Sequence, residues 1–326
     1  MRPFLGILAG VLLIFSTPAH ANCGTVSIGE MNWDSSRVIA NVTKRILEIG
    51  FGCSVELVST TTVPAIKTQI ETGKPDILSE IWVNSVREIY EDGVAKKQIV
   101  KASDALHDGG LEGWWIPSYM LSRYPGLDSI EGLKKNWKLF VGSDNPEKGR
   151  FFSCPSGWAC QIINANLFKA YGMGDTFVSV APATGEGLKQ AIAQAYADKK
   201  PWVGYYWAPT AILGRYPMVQ IKLNPAEKAG HECNQKADCA SPHAGSYPPS
   251  EVISTTTVKF QESHPDVFSV VAQVSIPNKD MNAVLAWGEK NRADGAAMAK
   301  YFMQTRRRLW QSWLPAEVVE KLDGAL

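Results

Sequence analysis

Residues 153 to 160 read SCPSGWAC, with the apolar run QIINANLFKA directly behind them. Cys154 and Cys160 can close a small ring around a proline, a glycine and Trp158. Ser156 has the side chain of an N-cap, which predicts a helix whose first turn is Gly157, Trp158, Ala159 and Cys160. The free N–H groups of such a turn form an anion site, helped by the positive end of the helix dipole. A ring that fixes the turn before ligand arrives lowers the ordering cost of binding. A carboxylate on those N–H groups, beside the face of Trp158, would be the chemistry of a zwitterion. The competing reading is a stapled turn with a packing tryptophan.

Two further tryptophans favour the first reading. Trp82 ends the apolar run DILSEIW and Trp207 ends VGYYW. Both runs read as parallel strands, and ligands of open α/β sheets bind at the carboxyl ends of strands. Tryptophan faces attract quaternary ammonium groups by cation–π interaction, worth about 2 kcal/mol or more when desolvated. A box of Trp82, Trp158 and Trp207 needs no acid, because the ring faces supply the negative potential.

The elements that must position these side chains follow from periodicity. TVSIGEMN is a strand from Thr25, followed by a helix with Asp34 or Ser35 as cap and Val38, Ile39, Val42, Ile46 and Leu47 on one face. SVELVST, a helix opened by Pro64, and PDILSEIW continue a β-α-β-α-β run, which implies a parallel sheet with right-handed crossovers. A second unit repeats the theme: WKLFVGSD as a strand, the helix after SCPSGWAC, TFVSVAP, the helix EGLKQAIAQAYADKK, and WVGYYW. GWWIPSYM carries the chain from one unit to the other, MVQIKL and VISTTTVKF return it, and the last fifty or so residues are helical. The expected fold class is α/β: a bilobal periplasmic-binding-protein fold of type II kind, with two parallel or mixed sheets, flanking helices and a hinge. The expected division is residues 22–115 plus 218–326 for the first lobe and 116–217 for the second.

The N-terminus sets the compartment. Arg2, the apolar stretch Phe4 to Phe15, and Ala19 and Ala21 form a secretory leader cleaved after Ala21. The stretch is too short for a membrane span, and His20 stands where a lipid anchor would want leucine. The expected location is the periplasm, as a soluble monomer. Removing residues 1–21 takes away Arg2 and no acid, which leaves bases and acids level at 32 each. That balance argues against nucleic acid and anionic membrane as partners. All six cysteines lie beyond the leader, and six allow fifteen pairings. Spacing favours Cys154–Cys160 and Cys233–Cys239 as local rings and leaves Cys23 for Cys53. A metal reading of His231, Cys233, Cys239 and His243 competes with the second ring, but zinc sites prefer shorter cysteine spacings. No metal and no cofactor is expected.

These motifs resemble the substrate-binding components of glycine betaine/proline-type ABC importers. The most specific is Cys154-Pro155-Ser156-Gly157-Trp158-Ala159-Cys160 opening a helix. GEMNWDSS, EIW, YYWAP and the tail MNAVLAW…WQSWL support it. The resemblance spans nearly the whole mature chain. It implies a trimethylammonium head in a box of Trp82, Trp158 and Trp207, with the carboxylate on the N–H groups of Ala159 and Cys160. It implies delivery to an ABC permease with its ATPase subunit. Some members place a histidine four residues after the first box tryptophan, where this chain has Val86. Carnitine, choline, a longer betaine and a sulfonium analogue therefore stay open, as does a ligand sensor for a membrane receptor. A cation without a carboxylate would want an acid, and Glu30 and Asp34 are the candidates, with Asn32 and Trp33 in the same loop. No G-x-S-x-G elbow or H-E-x-x-H pair occurs, so no catalytic residues are expected and the chain is not read as an enzyme.

Overall fold

The computed structural model describes residues 23–143 and 145–326. The leader read from residues 1–21 and its cleavage point lie outside the described residues. In chain order the first unit comprises β1 (Thr25–Met31), α1 (Asp34–Arg45), β2 (Ser54–Thr60), α2 (Thr62–Thr72), β3 (Ile77–Trp82), α3 (Val83–Ala95) and β4 (Ile99–Pro117). There follow α4 (Ser118–Arg123), α5 (Ile130–Lys135), β5 (Val141–Gly142), β6 (Asn145–Phe152), α6 (Ala159–Ala170), β7 (Phe177–Val180), α7 (Gly185–Asp198), β8 (Gly204–Ala208), α8 (Ala211–Arg215) and β9 (Met218–Gln220). The return segment holds α9 (Lys228–Asn234) and leads to β10 (Ser250–Thr257), α10 (Val258–Ser263) and α11 (Pro265–Val271). The tail is α12 (Asn278–Asn291), α13 (Gly295–Thr305), α14 (Arg307–Gln311) and α15 (Ala316–Gly324).

The strand order is β2-β1-β3-β10-β4-β8-β6-β5, with β7 on β6 and β9 on β4. β1 pairs in parallel with β2 and β3, as the β-α-β-α-β reading requires. β10 enters antiparallel between β3 and β4. The long β4 joins the two halves. Its residues 99–110 pair with β10, whereas Leu111 to Trp115 pair with β8 and Trp115 to Pro117 with β9. Helices cover the sheet, and one large apolar core runs through both halves, with a smaller cluster packed under β1 and β2.

Local chemistry explains the elements and three differences from expectation. Neither Asp34 nor Ser35 caps α1. Trp33 is at the N-cap with extended backbone and no side-chain cap bond. The hydroxyl of Ser35 is drawn to Glu80 (3.1 Å), and Ser36 Oγ accepts the Met31 N–H (2.9 Å). Ser156 likewise does not cap the helix behind the ring. Gly157 takes φ +86°, and a Cβ there would collide with Thr61, so the chain turns at Gly157. Trp158 becomes the N-cap residue and α6 starts at Ala159. WKLF is a single 3-10 turn, Trp137–Phe140, leaving only the two residues of β5 as strand. Its apolar content reflects core packing instead of a pleat. Disulfides join Cys23 to Cys53, Cys154 to Cys160 and Cys233 to Cys239. The first links the entries of the paired strands β1 and β2, where Thr25 lies opposite Ser54. The third engages both cysteines of the alternative metal set.

Candidate functional site

Four tryptophans surround one cavity. Trp82 stands at the end of β3 and Trp207 near the end of β8, as the strand readings require. Trp158 enters from the N-cap of α6 and Trp33 from the N-cap of α1. All four border the same space. Each is at most 7 % exposed, so almost the whole of every ring is removed from bulk water. Trp158 is the centre of the group. Its ring meets Trp33 edge to face at 5.1 Å and 71°, and Trp207 at 5.1 Å and 81°. Indoles set nearly perpendicular to one another present faces from several directions, which suits a compact cation. The cavity is small, and Thr62, Ser85, Glu112 and Tyr205 complete its lining.

The rings are held individually. Trp158 donates its indole N–H to Asn32 Oδ1 at 2.6 Å. Trp33 and Trp82 both donate to Glu80 Oε1, each at 2.8 Å. Gly110 of β4 lies beneath Trp82, and a Cβ there would overlap the ring. Trp207 is set by β8, whose Tyr205 ring stacks along it at 6.2 Å.

The start of α6 faces the same cavity through Ala159 and Cys160. Their N–H groups belong to the first turn, which has no partner inside the helix. Behind that turn Asn164 is fully engaged: Oδ1 accepts from Trp114 (2.7 Å) and Tyr247 (3.1 Å), and Nδ2 donates to Ser153 Oγ (3.2 Å). The turn is thus fixed by a covalent ring in front and a buried amide behind.

Two buried acids complete the site, and neither was singled out from the sequence. Glu112 borders the cavity. It sits opposite Trp207 in the β4–β8 register. Tyr205 donates to its Oε1 (2.7 Å) and Ser85 to its Oε2 (3.2 Å). Burial pushes its carboxyl up to about 7, against the two hydrogen bonds that pull it down. Glu80 lies behind the wall formed by Trp33 and Trp82. Burial pushes it up to about 6, against bonds from Trp82, Trp33 and Ser35. A signal was present: Glu80 is the one charged residue of the run ILSEIW, Glu112 directly precedes the run GWWIP, and buried acids must find donors.

The remaining candidates are placed as follows. Asn32 orients Trp158 and Trp33 joins the cavity wall. Asp34 borders a neighbouring cleft and pairs with Arg37 (3.3 Å) and Lys189 (3.8 Å). Glu30 accepts from Asn41 (2.9 Å) and is not among the residues bordering the tryptophan cavity. Desolvation raises its carboxyl, opposed by Arg37 and Asn41. The structure thus gathers Trp33, Trp82, Trp158, Trp207, Ala159 and Cys160 at one cavity, and leaves Glu30 and Asp34 outside it.

Residues 24–305 match the family model described as the substrate binding domain of ABC-type glycine betaine transport systems. The fold is similar to that of a glycine betaine/L-proline-binding protein from Borrelia burgdorferi (17 % identity, TM-score 0.72, covering 91 % of this chain and 99 % of that one). It is also similar to a lactococcal protein crystallised closed with glycine betaine (18 %, 0.69, 90 % and 100 %). A choline-binding protein of an ABC transporter in complex with choline gives 14 %, 0.71, 93 % and 98 %. No helix of the described residues is long and apolar enough to cross a membrane. With the match running through both halves of the sheet, the chain belongs to the family of substrate-binding domains of ABC-type glycine betaine transport systems.

Proposed function

We infer that this protein captures a quaternary ammonium zwitterion of the glycine betaine kind and hands it to an ABC permease driven by its ATPase subunit. The observation that carries this reading is the convergence of four indoles and one helix start on a single small cavity. The trimethylammonium head occupies the cage of Trp33, Trp82, Trp158 and Trp207. The carboxylate accepts hydrogen bonds from the N–H groups of Ala159 and Cys160. The protein works as a monomer in the periplasm after loss of residues 1–21, and it catalyses nothing. Its lobes are residues 22–115 plus 218–326 and residues 116–217, with β4 as one hinge strand. Ligand that touches both lobes binds the closed form better and shifts the population toward it.

A second reading is favoured by Glu112. A buried acid against the cage favours a ligand with net positive charge, such as choline, because a zwitterion leaves that charge uncompensated unless the carboxyl takes up a proton. Calorimetric titration with glycine betaine, proline betaine, carnitine, choline and dimethylsulfoniopropionate separates the two. Micromolar or tighter binding of a methylated zwitterion supports the first reading, and choline alone supports the second. Silence across the panel rejects both.

A further inference from the structure

Glu80 is fully buried, yet among the described residues it pairs with no cation, and it does not border the cavity. One oxygen, Oε1, accepts three bonds: Trp33 Nε1 and Trp82 Nε1 at 2.8 Å each, and Ser35 Oγ at 3.1 Å. The other, Oε2, is buried with no protein donor among the described residues. Both indoles that end on Glu80 present their rings to the ligand cavity. A buried carboxylate is costly unless its charge is used, and a neutral amide could accept the same indole N–H groups.

We propose that Glu80 is a positioning residue that fixes the two rings of one wall of the cage through their indole N–H groups and delivers its negative charge through those rings to the bound ammonium. An anion on an indole N–H enriches the electron density of the ring, and the attraction of a ring for a cation is electrostatic. The low dielectric of the interior leaves this charge poorly screened. The proposal rests on reading the cage as an ammonium site, and it adds that the site's potential is set from behind its walls. Nearby charges are engaged elsewhere: Asp34 with Arg37 and Lys189, Glu30 with Asn41, and Glu112 with Tyr205 and Ser85.

Two measurements test it. Choline and its neutral carbon isostere, in which a quaternary carbon replaces the nitrogen, are titrated into the wild type and Glu80→Gln. Choline affinity is expected to fall about tenfold in the variant, while affinity for the isostere stays within about twofold. Equal losses for both ligands, or no loss for either, overturn the proposal. The second measurement uses the unaltered, ligand-free protein and stands even if Glu80→Gln does not fold. In proton–nitrogen spectra, the indole resonances of Trp33 and Trp82 should move together as pH falls through about 6, because the protonated acid is the weaker acceptor. Those of Trp114 and Trp310, bonded to Asn164 and to the Met303 carbonyl, should stay. If Trp33 and Trp82 stay with them, Glu80 does not hold them as a carboxylate. If the wild type binds no quaternary ammonium while the two resonances titrate, the ligand reading fails and the hold of Glu80 on the rings survives.

Discussion

The two walls of the cage are built by different means. Trp33 and Trp82 are held from behind by one buried carboxylate, through side-chain hydrogen bonds. Trp158 and the start of α6 are held by a disulfide and by the buried amide of Asn164. The first wall depends on charge and therefore on pH, whereas the second depends on covalent closure. The contrast also separates their tasks. In the proposed reading one wall supplies negative potential for a cation, and the other supplies backbone N–H groups for an anion. Trp158 spans the two, packed edge to face against Trp33 and Trp207 and bonded to Asn32.

The largest effect expected is at the ring opposite Glu112. Trp207→Ala should weaken quaternary ammonium binding on the order of a hundredfold, since it removes a cation–π face and its buried apolar area. Calorimetric titration reads this, and a loss below about threefold would remove β8 from the site. Next comes the covalent wall. Replacing Cys154 and Cys160 together by serine should weaken a carboxylate-bearing ligand by about tenfold, through the cost of ordering the α6 start. The same variant should hold choline more nearly as the wild type does, which a parallel titration checks. An equal loss for both ligands would mean that the ring supports the whole cage instead of one wall.

The charged wall is sharpened by pH. Glu80 and Glu112 titrate at about 6 and about 7 in the fold, above the 4.5 of an ordinary glutamate. Between those values the folded chain holds protons that the unfolded chain has released. Stability of the ligand-free protein should therefore fall as pH rises through that window, by up to a few kcal/mol. Cation affinity should rise over the same window, because the carboxylates become charged. Thermal unfolding and titration at several pH values test the opposed slopes, and Glu112→Gln should flatten a large part of the first. The smallest effect concerns Arg215 and Glu289, an exposed pair at 2.6 Å that links α8 to α12. Arg215→Ala should change affinity by less than about twofold, as exposed ion pairs contribute little.

Much of this arrangement could be read from residue order. The period of the apolar residues located α1, α2, α7 and the strands β1, β2, β3, β7 and β8, but it missed β6, the parallel partner of β7 and β8, whose NPEKGRFF is largely polar; the strand ends pointed Trp82 and Trp207 to one place. The buried acids were not legible as site residues, because their partners are remote in sequence: Trp33 for Glu80, and Tyr205 for Glu112. The cap of α6 was misread for a local reason. Ser156 has the right side chain, but Gly157 turns left-handed against Thr61 and postpones the helix to Ala159. That shift leaves the N–H groups of Ala159 and Cys160 first in the turn and frees Trp158 to reach Asn32. β4 read as a connector from GWWIPSYM alone, because its pairing with β10 and β8 at successive stretches is set by tertiary contacts.

The central claim is that both walls close on one cation. It is tested most directly by titrating the best ligand of the panel into Trp82→Ala and Trp158→Ala, one substitution in each wall. The account predicts that each variant loses at least about tenfold in affinity while keeping the wild-type circular dichroism spectrum. If either variant binds as tightly as the wild type, the ligand does not sit between the two walls and the assignment of the site is wrong.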